Sequence, residues 1–309
     1  MSDNKTHLPV NPLLLLIFGA ICISFAPVFV KLVGPERMGP TAMGFWRTFF
    51  GGLILFLIAL TQGSRLVLSR RLYVFAVLGG FIFFLDLFVW HRSVIYVGAG
   101  IATILGNTQV FMTAILSFFI FREKLTLRFW LAAISAIAGV ALLVGLLGGQ
   151  VALVGRYLLG IFLGLATGVV YAHYLITMRW SAHRETVPNV PVFMAWTSLH
   201  SALFLGLSGA IESDPFLPPD AESWIYLALL GLIAQALGWW TITTSLAKTV
   251  ASRAGLILLL QPTLAVIWGV VMFSERFTLV QLIGAVITLL AIYFGSLRSQ
   301  ATEAEAFRT

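Results

Sequence analysis

The chain has 309 residues, of which 60% are hydrophobic and 10% charged, with a mean hydropathy of +0.99. An ordinary soluble domain is roughly a quarter charged and a chain this apolar could not hide its surface from water, so a water-soluble fold is excluded. The single cysteine, Cys22, excludes an intramolecular disulfide.

Crossing the hydrocarbon core takes about 20 apolar residues per helix, and ten such runs follow one another along the chain. They are predicted as helices near 12–33, 39–61, 72–92, 98–121, 127–147, 157–180, 191–211, 223–247, 252–274 and 279–297. The first has no small-x-small cleavage pattern behind it and leads directly into further spans, so it is expected to be a retained helix. The second carries Arg47 within FWRTFF. The third carries Asp86, the one carboxylate deep in a span, followed by Trp90, His91 and Arg92. A buried charged carboxylate is expensive, so Asp86 must face water, face a cation or hold a proton. Trp90, four residues on, shares its helical face and offers a ring for stacking or a cation–π contact. Asp86 therefore either binds the ammonium of a substrate or pairs internally with Arg47 or Arg92.

The fourth run holds Asn107 and Gln109 and ends on Arg122-Glu123-Lys124. Ala132, Ala136 and Gly139 in the fifth, and Gly160, Gly164 and Gly168 at four-residue spacing in the sixth, form stripes of small residues that let neighbouring helices approach closely. His173 and His200 are expected to be packed and hydrogen-bonded. The five histidines show no metal spacing, and no Ser-His-acid or Cys-His set can be assembled, so no metal, cofactor or catalytic residue is expected. The ninth run reads ILLLQPTLAVIWGVVMFSERFTL, with Gln261-Pro262 in its interior and Glu275-Arg276 closing it. Proline removes a backbone hydrogen bond and clashes with the carbonyl four residues back, and in lipid the freed group must find protein or water. Pro262 is thus either a hinge beside a substrate-facing Gln261 or a structural kink.

The net charge of +7 is a topology signal. With the N-terminus in the cytoplasm, inside segments hold 13 Lys and Arg residues and outside segments 5, with Arg47 left inside the second helix. Positive residues are retained on the cytoplasmic side, so both termini are expected to be cytoplasmic, in a plasma (inner) membrane, and nucleic acid is not an expected partner.

Sliding the sequence by 152 residues lays FFIFREKLTLRFWLAA (118–133) over VVMFSERFTLVQLIGA (270–285), and puts Gln109 on Gln261. The chain is accordingly read as one polytopic domain, 1–309, built from a first repeat of about 12–147 and a second of about 157–297. Five helices is an odd number, so the second repeat must enter the membrane from the opposite side. Inverted repeats are a signature of secondary transporters, whose binding sites lie near the midplane where the repeats meet; a duplication without a transport role is the other reading. Gln109 and Gln261 then either hold a zwitterion or amide from both sides or act as interhelical glue worth roughly 0.6–2 kcal/mol. Glu123 inside and Glu275 outside serve topology and local pairing, or act as gate latches.

The stretch ASRAGLILLLQPTLAVIWGVVMFSERFTLVQLIGAVITLLAIYFGS (251–296) resembles the second repeat of the drug/metabolite transporter superfamily, EamA type, through Pro262, Glu275-Arg276, Gln281 and Gly284. Arg122-Glu123-Lys124 and Arg47 match the first repeat. The resemblance implies an all-α membrane protein of ten transmembrane helices, in two inverted five-helix repeats around a central cavity opened alternately to each side. It also raises Tyr171, Trp239 and Trp240 as cavity residues, because helices six and eight line the cavity in relatives. Two departures stand out: Val110 follows Gln109 where many relatives have Pro, and neutral Gln261 stands where some carry an acid. The expected function is secondary transport of a small metabolite, an amino acid or similar amphipathic compound, in the export direction, with the aromatic amino acid exporters as the most similar branch. A nucleotide-sugar or phosphorylated-metabolite carrier and a non-transporting scaffold are the alternatives. The chain is compatible with a monomer in the lipid bilayer.

Overall fold

A computed structural model describes residues 11–121, 125–145, 155–184, 190–212, 215–246 and 257–296. Every regular element among them is helical. We number the helices α1 (Pro12–Val33), α2 (Pro40–Thr61), α3 (Arg70–Val97), α4 (Ala99–Phe121), α5 (Leu127–Leu143), α6 (Gly155–Arg184), α7 (Val190–Gly209), α8 (Ala221–Leu246), α9 (Leu260–Phe273) and α10 (Leu279–Ser296). Seven of them are long and apolar enough to cross a bilayer, and α5, α9 and α10 are shorter apolar helices. The chain alternates between two faces of the bundle. The face where α1 begins is the termini face, and the opposite one is the far face.

Four of the ten helices depart from a regular α-helix, each for a local reason. In α1 the break falls at Phe25, between Pro12–Ser24 and Ala26–Val33. Pro27 cannot donate to Ile23 O four residues back, and just before it Ser24 Oγ donates to its own helix at Ile21 O, 2.7 Å away. In α4 the break falls at Thr108, between Ala99–Asn107 and Gln109–Phe121, although no proline is present. Here polar side chains compete for the helix's own carbonyls: Thr108 Oγ1 donates to Leu105 O at 2.6 Å and Asn107 Nδ2 to Thr103 O at 2.8 Å. The corresponding break at the start of α9 is at Leu259 (φ −65°, ψ −12°), nearly the backbone of Thr108 (φ −61°, ψ −10°). Pro262 therefore sits in the first turn of α9, not in the middle of an unbroken span. Finally, Leu230–Gly238 of α8 is π-helical.

The largest helix-packing pairs map onto one another when the two halves of the chain are exchanged. α3 lies on α6 as α8 lies on α1; α3 meets α7 as α8 meets α2; α4 meets α6 as α9 meets α1. The remaining principal pairs, α2–α7, α4–α9 and α5–α10, each join a helix to its own counterpart. Five-helix halves that alternate faces and share one neighbour scheme are inverted repeats.

Glycine sets the closest approaches. A Cβ placed on Gly164 would lie 2.8 Å from Leu105 Cδ1 and Ser93 Oγ, one on Gly160 2.6 Å from Tyr96 Cβ, and one on Gly168 2.6 Å from Thr108 Oγ1. That stripe seats α6 on α3 and α4. The α5–α10 pair closes at Gly139 and Gly284, where a Cβ on Gly284 would lie 2.6 Å from Gly139 O. Ile134, Ile137 and Leu127 on the outer side of α5 are exposed, as residues facing lipid are.

Candidate functional site

Two opposite charges are buried in the middle of the bundle. Arg47 (α2) is 4% exposed and Asp86 (α3) is 7% exposed, and each lies within the electrostatic reach of the other. Neither of the internal pairings considered for Asp86 forms. Arg47 Nε donates to Gln235 Oε1 at 3.1 Å, and Arg92 Nη2 reaches Glu212 Oε1 at 2.7 Å. Asp86 Oδ1 is buried without a hydrogen-bond partner among the described residues. The guanidinium instead lies over aromatic faces, 5.5 Å from the Trp90 ring centroid and 5.9 Å from that of Phe83, within cation–π range.

Gln235 explains the placement of Arg47. Its amide oxygen accepts from Arg47, and its Nε2 donates to Ser198 Oγ at 3.0 Å, so one side chain ties α2 to α7 and α8. It sits in the π-helical turn, and Gly51 on α2 leaves room for its stem, since a Cβ there would meet the Gln235 side chain. π-bulges displace side chains from the regular helical stripe and recur at functional sites.

The wall around Asp86 is aromatic. Phe83, Tyr171, Tyr174 and Trp239 form one cluster, with centroids 5.1 Å apart for Phe83–Tyr174, 5.7 Å for Tyr171–Trp239 and 6.0 Å for Tyr174–Trp239. Both tyrosines lie near Asp86. Trp239 Nε1, His91 Nε2 and Ser201 Oγ are also buried without a hydrogen-bond partner among the described residues, while His91 Nδ1 is bonded to Leu87 O at 2.8 Å. The structure thus gathers Asp86, Trp90, Tyr171 and Trp239 of the sequence-derived set, with His91 at their edge. It adds Phe83, Tyr174, Ser198 and Gln235, which sequence reasoning did not place there, and Arg47, which it weighed as an internal partner of Asp86.

The remaining amides sit at the helix breaks. Gln109 Oε1 accepts from Thr113 Oγ1 at 2.8 Å, Asn107 bonds within its own helix, and Gln261 is half-buried one residue before Pro262. No hydrogen bond joins Gln109 to Gln261. A Cβ on Gly106 would lie 3.9 Å from Trp90 Cδ1, so the α4 break borders the aromatic wall. Glu275 lies on the far face and Glu123 outside the described residues. A cavity of about 410 Å³ opens on the far face, lined among others by Lys31, Tyr157, Glu275, Arg276 and Gln281. No group of metal-ligating side chains occurs among the described residues.

Comparison with known proteins supplies the context. The profile of the EamA-like transporter family matches residues 11–145 and 158–297. A protein of Synechocystis sp. described as an uncharacterized transporter is 27% identical over 91% of this chain and 91% of its own. The uncharacterized transporter YdfC of Bacillus subtilis is 24% identical over 86% of this chain and 84% of its own. A solved crystal structure superposes with a TM-score of 0.68 over 93% of this chain and 98% of that one, at 18% identity; that likeness concerns the fold.

Proposed function

We propose that this chain, which belongs to the EamA-like transporter family, moves a small amphipathic zwitterion such as an amino acid, outward and by alternating access. The observation that carries the reading is the buried Asp86–Arg47 arrangement: two opposite charges near each other, unpaired with each other, within an aromatic wall. An ammonium group satisfies Asp86, and a carboxylate satisfies the free end of the Arg47 fork. Phe83, Tyr171, Tyr174 and Trp239 receive an apolar or aromatic side chain. A zwitterion is the ligand class that neutralises both charges at once, where an anion or a cation alone leaves one buried charge uncompensated.

Other readings fit less well. A phosphorylated-metabolite carrier needs several central cations, and Arg92 is already neutralised by Glu212. A scaffold has no use for a carboxylate oxygen held in the core without a partner. Asn107, Gln109 and Gln261 extend the polar lining beside two helix breaks whose backbones match, and Pro262 serves as hinge there.

The test is flux in liposomes. Purified protein loaded with candidate amino acids should exchange them, and Asp86→Asn should abolish that flux while leaving expression and monodispersity unchanged. Full flux in Asp86→Asn would remove Asp86 from the passage. Imposing a pH gradient in the same assay separates proton-coupled from facilitated movement.

A further inference from the structure

Among the described residues, three basic side chains of the first half pair with acids of the second on the far face, and one of them, Arg37, reaches a second acid, Asp220, at 3.9 Å. Lys31 Nζ, at the end of α1, meets Glu275 Oε1 at 2.6 Å. Arg92, near the end of α3, meets Glu212 beyond α7 at 2.7 Å. Arg37, between α1 and α2, meets Glu222 at the start of α8 at 3.1 Å.

The first two are built into the backbone. Glu275 Oε1 also accepts from Ala99 N at 2.9 Å, capping the N-terminus of α4, where a carboxylate is favoured by the helix dipole. Gly98, at φ +90°, makes room for it, since a Cβ there would lie 2.8 Å from Oε1. A left-handed turn at Ser274 (φ 54°) aims the carboxylate back over α9. Thus one side chain gathers α1, α4 and α9. Arg92 does likewise for α2, α3 and α7: it donates to Phe88 O at 2.8 Å and to Thr41 Oγ1 at 2.9 Å, with its guanidinium 3.7 Å from the Phe88 ring centroid. These side chains are 14–25% exposed, whereas Arg37 and Glu222 are 35% and 55% exposed.

We propose that Lys31–Glu275 and Arg92–Glu212 are the latch that holds the far face of the transporter shut, with Arg37–Glu222 a minor adjunct. Any motion that opens this face must part the first repeat from the second and so separate both pairs. A charge-assisted bond in a partly buried setting contributes more than an exposed ion pair, so the two inner pairs set the closed population. The role rests on the transporter reading but not on the identity of the passenger.

The latch is tested by distance rather than by flux. Spin labels at Glu36→Cys and Leu217→Cys, on a Cys22→Ser background, report the separation of the two halves at the far face in liposomes. The parent should show one short distance. Lys31→Ala and Glu212→Gln should each raise the population of a second, longer distance about tenfold, and Lys31→Arg should restore the parental distribution. Removing Arg37 should change it less than threefold. An unchanged distribution in Lys31→Ala combined with Glu212→Gln overturns the latch, and so does transport that continues with no longer distance ever seen. If Lys31→Ala does not fold, Glu212→Gln alone, isosteric and away from the α4 cap, decides by the same criterion. A latch that opens in a protein that moves no amino acid sinks the passenger reading and leaves the latch standing.

Discussion

Arg47 is held at one nitrogen and open at the others. Its Nε is committed to Gln235, so the rest of the fork is available to a carboxylate. Lysine keeps the charge but loses both the anchoring nitrogen and the bidentate geometry. Arg47→Lys is therefore expected to raise KM for carboxylate-bearing passengers about tenfold or more, measured by concentration-dependent uptake into liposomes. Gln235→Ala strands Arg47 Nε and Ser198 Oγ together; the loss of a charged hydrogen bond, worth about 1.5–3 kcal/mol, should weaken KM by a similar factor without touching the aromatic wall. An unaltered KM in both variants would place the carboxylate elsewhere. Asp86 was legible in the sequence because a lone acid in an apolar run has few physical excuses. Arg47 was legible as a cation inside the second span and as a possible partner of Asp86, but its hydrogen-bond partner Gln235 was not. Gln235 has Phe83 at the equivalent place of the first repeat, so the repeat offers no polar match to flag it. Nothing in a string of letters shows that a π-turn swings it onto another helix.

At the scale of the helix, apolar run length predicted all ten elements and most of their ends. It failed where polar side chains or prolines act on the backbone. α3 runs on to Val97, which puts Arg92 inside the helix rather than in a loop and lets it reach Glu212. The α4 break was missed because proline was the signal sought, and Thr108 and Asn107 achieve the same interruption through their own hydrogen bonds. The small-residue stripes were readable because close approach demands them at fixed spacing. The tightest of these contacts makes a prediction about stability. The atoms nearest a Cβ on Gly284 include the Leu143 N and Gly139 O of α5, backbone that cannot rotate aside. Gly284→Leu should force α5 from α10 and destabilise the protein by about 1–3 kcal/mol or more, seen as a lower thermal midpoint in detergent. The same substitution at Gly63, a turn with nothing within 4 Å of a Cβ, meets no such wall, although its φ of +67° adds backbone strain. A midpoint for Gly284→Leu equal to that of the parent would mean that the α5–α10 contact is looser than this.

For the whole molecule, inversion of the repeats turns charge placement into a consequence of function. Two halves with the same fold and opposite orientation can exchange conformations, opening first to one side and then to the other, only if each is threaded correctly. The thread is written in the short loops. The termini face carries Arg65, Arg70, Arg71 and Arg128, while the loop from 212 to 222 on the far face carries four acids and no Lys or Arg. Retention of positive loops on the cytoplasmic side therefore predicts both termini inside and the Lys31, Arg92, Glu212 and Glu275 side chains outside. A fluorescent protein fused after residue 309, which matures in the cytoplasm, should fluoresce. An alkaline phosphatase inserted between 215 and 220, active only outside the cytoplasm, should be active; inserted at Gly63 it should be inactive. The opposite pattern would turn the molecule over, put the ion pairs on the inner side, and reverse the direction in which the far face releases its passenger. Replacing Arg65, Arg70 and Arg71 together with Gln weakens the strongest cluster on the termini face. Because Arg65 precedes α3 and Arg70 and Arg71 form its first turn, the first repeat should be the one that misthreads: a mixed population is expected for phosphatase fused at Gly63, whereas a fusion after residue 309 should stay largely inside, held by the cations of the second half.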